Sequence, residues 1–209
     1  QRWSEPLSEA DKTKGFLGWH ERGHMPHCDQ PGLIQFVTFR LADSMPAARR
    51  GEWEHLLAIE DEREKRRKLE EYLDRGLGAC HLWDKRVADF TEKAILFHHG
   101  RRFQMMAWVV MPNHVHVLLR VEQVPLAIIV QNWKSIVAVE ANRLLGREGK
   151  FWQVEYWDHF MRDTEQVHKA VRYIENNPIK ARLCRTPAEW SHSSARLRDP
   201  NTGILILPT

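Results

Sequence analysis

The stretch Trp108-Val109-Val110-Met111-Pro112-Asn113-His114-Val115-His116-Val117-Leu118-Leu119 decides the fold. It reads as two apolar strands joined by a tight turn, in which Pro112 presets φ and Asn113 tolerates the turn conformation. Side chains alternate across a strand, so His114 and His116 share one face while Val115 points into the core. Two imidazoles on one face of a strand can share a metal ion. The plainer alternative is a pair of surface histidines on a half-exposed strand.

Upstream, Ile34-Gln35-Phe36-Val37-Thr38-Phe39-Arg40-Leu41 is rich in β-branched and aromatic residues and predicts a strand. Asp43-Ser44-Met45-Pro46 marks a loop, and residues 52–75 have helical composition. The block from 60 to 68 within them is charged on every side. Acidic residues interleave with basic ones, which favours a solvated helix with i,i+4 pairs over a nucleic-acid patch. A second helix is expected at about 84–98. Downstream, Pro125 opens a long amphipathic helix that Gly146 closes. Residues 155–161 alternate weakly and read as a last strand. The order strand, helices, strand, strand, helix, strand predicts an α+β chain. It is that of a split βαβ, ferredoxin-like antiparallel sheet with helices on one face, the histidines lying on a central strand.

Composition bounds the rest. A chain of 209 residues with 43% hydrophobic residues supports one good core. No apolar run is long enough to span a bilayer, and no signal-peptide pattern opens the sequence. Cys28, Cys80 and Cys184 are odd in number and far apart, which argues against a disulfide framework or a Cys-based zinc site and fits a reducing cytoplasm. The net charge of +3 permits a nucleic-acid partner without demanding one.

A second informative segment begins at Asp163. With Gln166 it resembles a capping box, and a helix is expected from there to Asn177, because Pro178 disfavours continuation. Val167, Ala170, Val171 and Ile174 form its apolar stripe. Tyr173 and Asn177 fall one turn apart at the edge of that stripe. Tyr173 is either an ordinary amphipathic boundary residue or a phenol aimed at something beside the sheet. Asn177 either caps the helix before Pro178 or serves that same site.

Together these motifs resemble the single-tyrosine HUH endonucleases, and more closely the REP-associated tyrosine transposases of bacteria. The resemblance rests on Arg22-Gly23-His24-Met25-Pro26-His27, on the strand from Phe36 and on Met111-Pro112-Asn113-His114-Val115-His116. It also takes in Lys134-Ser135, Tyr173-Ile174-Glu175-Asn176-Asn177-Pro178 and Trp190-Ser191-His192-Ser193-Ser194, and so covers residues 22–195. Two features depart from it: the charged block at 60–68 is longer than in compact members, and the end from Gly203 to Leu207 has no counterpart.

The resemblance implies an HUH catalytic domain over 31–180, an irregular lead-in at 1–30 that reads DNA, and a tail at 181–209. It implies a divalent cation, Mg2+ or Mn2+, held by His114, His116 and Asn177, and a Tyr173 nucleophile that forms a 5′-phosphotyrosine link to single-stranded or hairpin DNA. Arg22, His24, His27, Arg40, Lys134, Arg172, Lys180 and Arg182 are the candidate DNA contacts. A monomer or homodimer in the bacterial cytoplasm, associated with the nucleoid and with no membrane partner, completes the expectation. Two rivals stand beside it: a catalytically silent nucleic-acid-binding module, and a metal phosphodiesterase that uses water as nucleophile.

Overall fold

A computed structural model describes residues 5–22 and 25–207, without the side chains of residues 21, 22, 25, 26, 62 and 63. Its centre is a four-stranded antiparallel sheet built from β3 (Ile34–Arg40), β4 (Phe103–Val110), β5 (His114–Val121) and β6 (Trp157–Phe160), in the order β4-β5-β3-β6. Of the helices between these strands, α4 (Lys85–Leu96) and α5 (Leu126–Leu145) pack behind the sheet and give the ferredoxin-like βαββαβ order expected from the sequence. The register places Thr38 opposite His116 and Arg40 opposite His114.

Alternation along β3 sorts the two layers. Val37, Phe39 and Leu41 point into a large core shared with Val115 and Val117 of β5, Val87 and Ile95 of α4, and Val130 and Trp133 of α5. Phe36 points the other way, into a smaller core with Val109, Leu118 and the helix α6 (Thr164–Lys180). The two crossover helices therefore share one face, and α6 covers the other. This placement matters because α6 carries Tyr173 and Asn177 to the face that His114 and His116 occupy.

Several local expectations are corrected. The helix expected over 52–75 is two helices, α2 (Arg50–Leu57) and α3 (Glu62–Leu73). Asp61 divides them by accepting a hydrogen bond from Glu64 N at 2.7 Å, which makes it the N-cap of α3. α3 is not solvated all round: Leu69, Tyr72 and Leu73 are buried. Residues 5–30, read as irregular, contain a short helix α1 (Glu9–Thr13) and a hairpin of β1 (Gly18–Arg22) and β2 (Met25–Asp29). The hairpin packs on β6, with Trp19 edge-on to Phe160 at 5.6 Å.

α6 runs three residues past Asn177. Pro178 lies inside it and removes one backbone donor, and the helix still continues because its last turn is packed: Ile174, Asn177 and Pro178 are all buried. It stops where Arg182 takes a φ of 61°, while Leu183 N bonds Pro178 O and Arg182 N bonds Ile179 O. That pair of bonds is a Schellman ending with arginine where glycine is usual.

The last residues return to the outer edge of β4. Val110 N donates to His192 O at 2.9 Å, and Trp190 Nε1 donates to Val110 O at 2.9 Å. Ser194 Oγ accepts from Trp108 N and donates to the buried Glu175, which also holds Arg198. The Trp190-Ser191-His192-Ser193-Ser194 motif thus covers an edge strand whose backbone groups would otherwise be open to another chain. Among the described residues no helix is long and apolar enough to cross a membrane.

Candidate active site

The histidine pair sits at the start of β5, fully buried between the sheet and α6. The Nε2 atoms face each other at 3.1 Å. Each ring is held from behind. His114 Nδ1 lies 2.7 Å from Asn113 Oδ1, and His116 Nδ1 lies 2.8 Å from Thr38 Oγ1. The amide of Asn113 is itself fixed, because its Nδ2 donates to Leu73 O and Leu77 O. His114 therefore donates through Nδ1 and keeps its Nε2 lone pair. The Thr38 hydroxyl can donate or accept, so His116 can take either tautomer. Such partners orient imidazoles for ligation.

Burial holds both rings neutral. It lowers the His114 pKa to about 4, with Asp74 acting in the opposite direction, and lowers that of His116 well below its ordinary value, with His114 adding to the effect. Neutral imidazoles are the metal-binding form.

Tyr173 reaches the same place from α6. Its ring lies 5.6 Å from that of His116 and 5.9 Å from that of Phe36, both edge-on. Asn177, one turn further, is completely buried; its Nδ2 lies 3.5 Å from the Tyr173 hydroxyl and 3.2 Å from Asp74 Oδ1. Asn177 Oδ1 is buried with no hydrogen-bond partner. An unpaired buried acceptor is costly, by roughly 1–3 kcal/mol, and calls for an explanation. A cation supplies one. Among the described residues no group of three or more histidine, cysteine or carboxylate side chains could hold a metal, so a cation here depends on the Asn177 amide. Two neutral imidazoles and an amide oxygen, with coordination positions left open, fit a divalent ion such as Mn2+ or Mg2+.

Two acidic residues complete the site, and sequence reasoning missed both. Glu70 is buried next to the site on α3, and Asp74 pairs with Lys180 Nζ at 2.9 Å. Desolvation pushes the Tyr173 phenol far above its ordinary range, and the charges of Glu70 and Asp74 add to it. Desolvation also raises the Glu70 carboxyl. Glu70 and Asp74 stand one turn apart beside the apolar Leu69, Tyr72 and Leu73. That stripe was the available signal, hidden inside a run of charge. A cavity of about 300 Å³ opens beside His114 and Asp74, with Arg75 and Trp83 on its walls.

The other candidates separate. Arg40 shares the histidine face; it is half-buried, bonds Ser44 Oγ at 3.2 Å and lies over the Trp157 ring. Lys180 crosses the Tyr173 ring at 5.6 Å, while Arg172 and Arg182 are exposed on and just beyond α6. Lys134 is not at the site. It is nearly buried on α5, on the other side of the sheet, with its Nζ on Val154 O at 2.5 Å. His27 is buried against Asp158 at 2.9 Å rather than displayed. His24 and the Arg22 side chain lie outside the described residues.

The sheet sets a buried histidine pair against a helix-borne tyrosine. Residues 78–177 match the model of the family described as "Transposase IS200 like". The chain is similar to REP-associated tyrosine transposases. The one from Escherichia coli K12 is 28% identical over 104 residues, covering 50% of this chain and 61% of that protein. Another transposase of this kind, from Haemophilus influenzae, is 25% identical over 103 residues, covering 44% of this chain and 58% of the relative. The chain thus spans about six-tenths of the length of these relatives. A solved structure of a REP-associated tyrosine transposase bound to a REP hairpin shares the fold, with a TM-score of 0.54, 16% identity and 84% of each chain covered.

Proposed function

We propose that this chain cleaves and rejoins single-stranded DNA next to a hairpin, using Tyr173 as nucleophile and a divalent cation held by His114, His116 and Asn177. One observation carries the reading. A phenol, two oriented neutral imidazoles and an unpaired amide oxygen meet in one buried place, built by two elements more than fifty residues apart in sequence. The relatives' descriptions, and the hairpin bound in the structural neighbour, supply the substrate class.

A bound cation acts as a Lewis acid toward a phosphodiester. The protein's own groups do the rest. Asn113 and Thr38 orient the imidazoles. The packing of Phe36 and His116 fixes the Tyr173 ring. Tyr173 forms a bond to phosphorus as the bond to the 3′ oxygen breaks, which leaves a 5′-phosphotyrosine and a free 3′-hydroxyl. The covalent link keeps the energy of the phosphodiester, so a 3′-hydroxyl can reseal it. Arg172, Lys180 and Arg182 stand where a strand approaching Tyr173 brings its phosphates, and Arg40 lies on the same face of the sheet. Arg22 and His24 remain the proposed hairpin readers, residues 31–180 the proposed catalytic domain.

The test is direct. The protein is incubated with end-labelled, hairpin-bearing single strands and Mg2+ or Mn2+, and resolved on a denaturing gel. A covalent protein–DNA adduct is expected. Cleavage without an adduct would mean that water is the nucleophile, and binding without cleavage would leave a silent nucleic-acid-binding module.

A further inference from the structure

We propose that the cavity beside His114 is a nucleobase pocket: it takes one unpaired base of the strand being cut, stacked on Trp83, and so sets the adjoining phosphate at the histidine pair. The proposal rests on the function stated above and names the part of the substrate that the site grips.

Three segments build the cavity. Asp74 and Arg75 follow α3, Met111 and Asn113 come from the turn between β4 and β5, and Trp83 ends a single helical turn, His81–Trp83. That turn is fixed to the strand pair that carries the histidines. Leu82 is buried, and its N–H donates to Pro112 O at 3.1 Å, two residues before His114. Trp83 itself is 61% exposed. Tryptophan is among the more buried residue types, so one left this open beside a cavity marks a contact surface. Its ring is braced from behind. It stands 5.8 Å from the ring of Trp190, whose Nε1 donates to Val110 O at 2.9 Å.

Size and lining choose the occupant. The cavity holds about 300 Å³, the small end of the range of about 300–1,000 Å³ for ligand sites. That is room for a base and part of its sugar, not for a base pair in its helix. The walls join the Trp83 ring and Met111 to the Asp74 carboxylate and the Arg75 guanidinium, which bonds Glu52 at 2.9 Å. A base has the same two characters, a flat π face and a polar edge. The phosphates have a place as well. A second hollow of about 660 Å³ adjoins the first at Leu183 and is lined by Arg182 and Arg185. Arg182 takes a φ of 61°, where glycine fits without strain, so a cation is kept there against the backbone preference. An aromatic cavity next to a basic hollow matches the alternation of base and phosphate along one strand.

The pocket selects single strands by shape. Phosphates are common to single strands and duplexes, so contacts to them do not discriminate. A base stacked and paired in a duplex must be swung out before it can reach Trp83, and a single strand does this at the least cost.

The experiment scans one abasic residue along the single-stranded flank of a hairpin-bearing strand. Binding to each strand is measured in EDTA for the parent, Trp83→Ala and Trp83→Phe, and the fragment that the parent releases in Mn2+ marks the cut. In the parent, one abasic position beside the cut should weaken binding by about 10- to 100-fold. In Trp83→Ala the intact strand should bind weaker by a similar factor, and the abasic penalty at that position should vanish. Trp83→Phe keeps a stacking ring and should keep most of both. Melting temperatures should stay near the parent's, because the replaced ring is mostly exposed. An abasic penalty that Trp83→Ala leaves unchanged at every position overturns the proposal. So does a loss in Trp83→Ala that is equal on every strand, which would give the ring a structural role only. If the parent cuts the strands and either of these is seen, this inference alone falls. If the parent cuts none, the function proposed above falls, and this inference with it.

Discussion

The Nε2 atoms of His114 and His116 stand 3.1 Å apart, with neither ring exposed. Metal–imidazole bonds are about 2.0–2.1 Å long, so this separation suits two ligands of one ion. Without an ion, one ring must donate to the other, and the Thr38 hydroxyl must turn to donate to His116. Mn2+ should therefore raise the melting temperature of the parent, and His114→Ala and His116→Ala should lose both that rise and cleavage. Excess EDTA should abolish cleavage by the parent. Full activity in chelator would remove the cation from the reading.

Tyr173→Phe should abolish the adduct and leave folding and DNA binding nearly unchanged. It removes one hydroxyl and keeps the ring against His116 and Phe36. The lost contact with Asn177 Nδ2 puts the expected stability change at about 1 kcal/mol in either direction. Urea melts and gel shifts check the fold and the binding. A mutant that still forms adduct on denaturing gels would exclude Tyr173 as nucleophile.

Two buried histidines and the half-buried His159 should make the metal-free protein acid-labile. Burial lowers His114 to about 4 and His159 to about 3, and lowers His116 as well, all from an ordinary 6.5. The unfolded chain takes up these protons first, so their stabilisation is complete above about pH 6.5 and is lost as pH falls toward the folded values. Each ring then removes about 1.4 kcal/mol per pH unit. In EDTA, the urea midpoint should fall steeply between pH 6.5 and 5. A flat midpoint over that range would mean that these rings are not buried and neutral.

The fold was legible where one period dominates. The alternation in β3 and β5 was clear, as were the glycine that closes α5 and the aspartate that opens α6. Legibility failed where tertiary packing overrules a local rule. Pro178 should end a helix, but burial of Ile174 and Asn177 carries α6 onward to Lys180. The β1–β2 hairpin has no Asn-Gly turn and little alternation, so nothing local announced it. In the site, the histidines and the α6 pair could be read from spacing. Glu70 and Asp74 were harder to place, because only the docking of α3 brings them beside α6, and the apolar stripe that docks it is hidden in a run of charge.

Glu175 is a buried carboxylate that joins α6 to the C-terminal tail. Ser194 Oγ donates to it at 2.5 Å, and Arg198 Nε at 2.6 Å. Glu175→Ala leaves a half-buried guanidinium with only the carbonyls of Met106 and Gly203 and no carboxylate, so a loss of about 3 kcal/mol is expected. Double replacement with Arg198→Met should recover part of it. Additive losses in that cycle would show that the two residues are not coupled.

Asn177 tests whether the α6 motif serves the metal or the helix. A capping role predicts a residue at the helix end, but Asn177 lies three residues inside α6, fully buried, with Oδ1 unpaired. Its replacement by alanine removes no cap, since Arg182 makes the turn that ends the helix. Asn177→Ala should therefore keep a parent-like melting temperature in EDTA, lose the rise given by Mn2+, and lose cleavage at low Mn2+. Asn177→Asp should behave differently. The new carboxylate faces Asp74, whose Oδ1 is 3.2 Å from the present Nδ2, and like charges this close and this dry repel. The metal-free protein should thus melt earlier than the parent, and Mn2+ should stabilise it more, because a carboxylate is a better ligand for a hard cation than an amide. Cleavage by Asn177→Asp should survive, with the balance between Mg2+ and Mn2+ altered. If Asn177→Ala cleaves like the parent at limiting Mn2+, the third donor is elsewhere, and Asp74, 4.0 Å from His114 Nε2, is the next candidate.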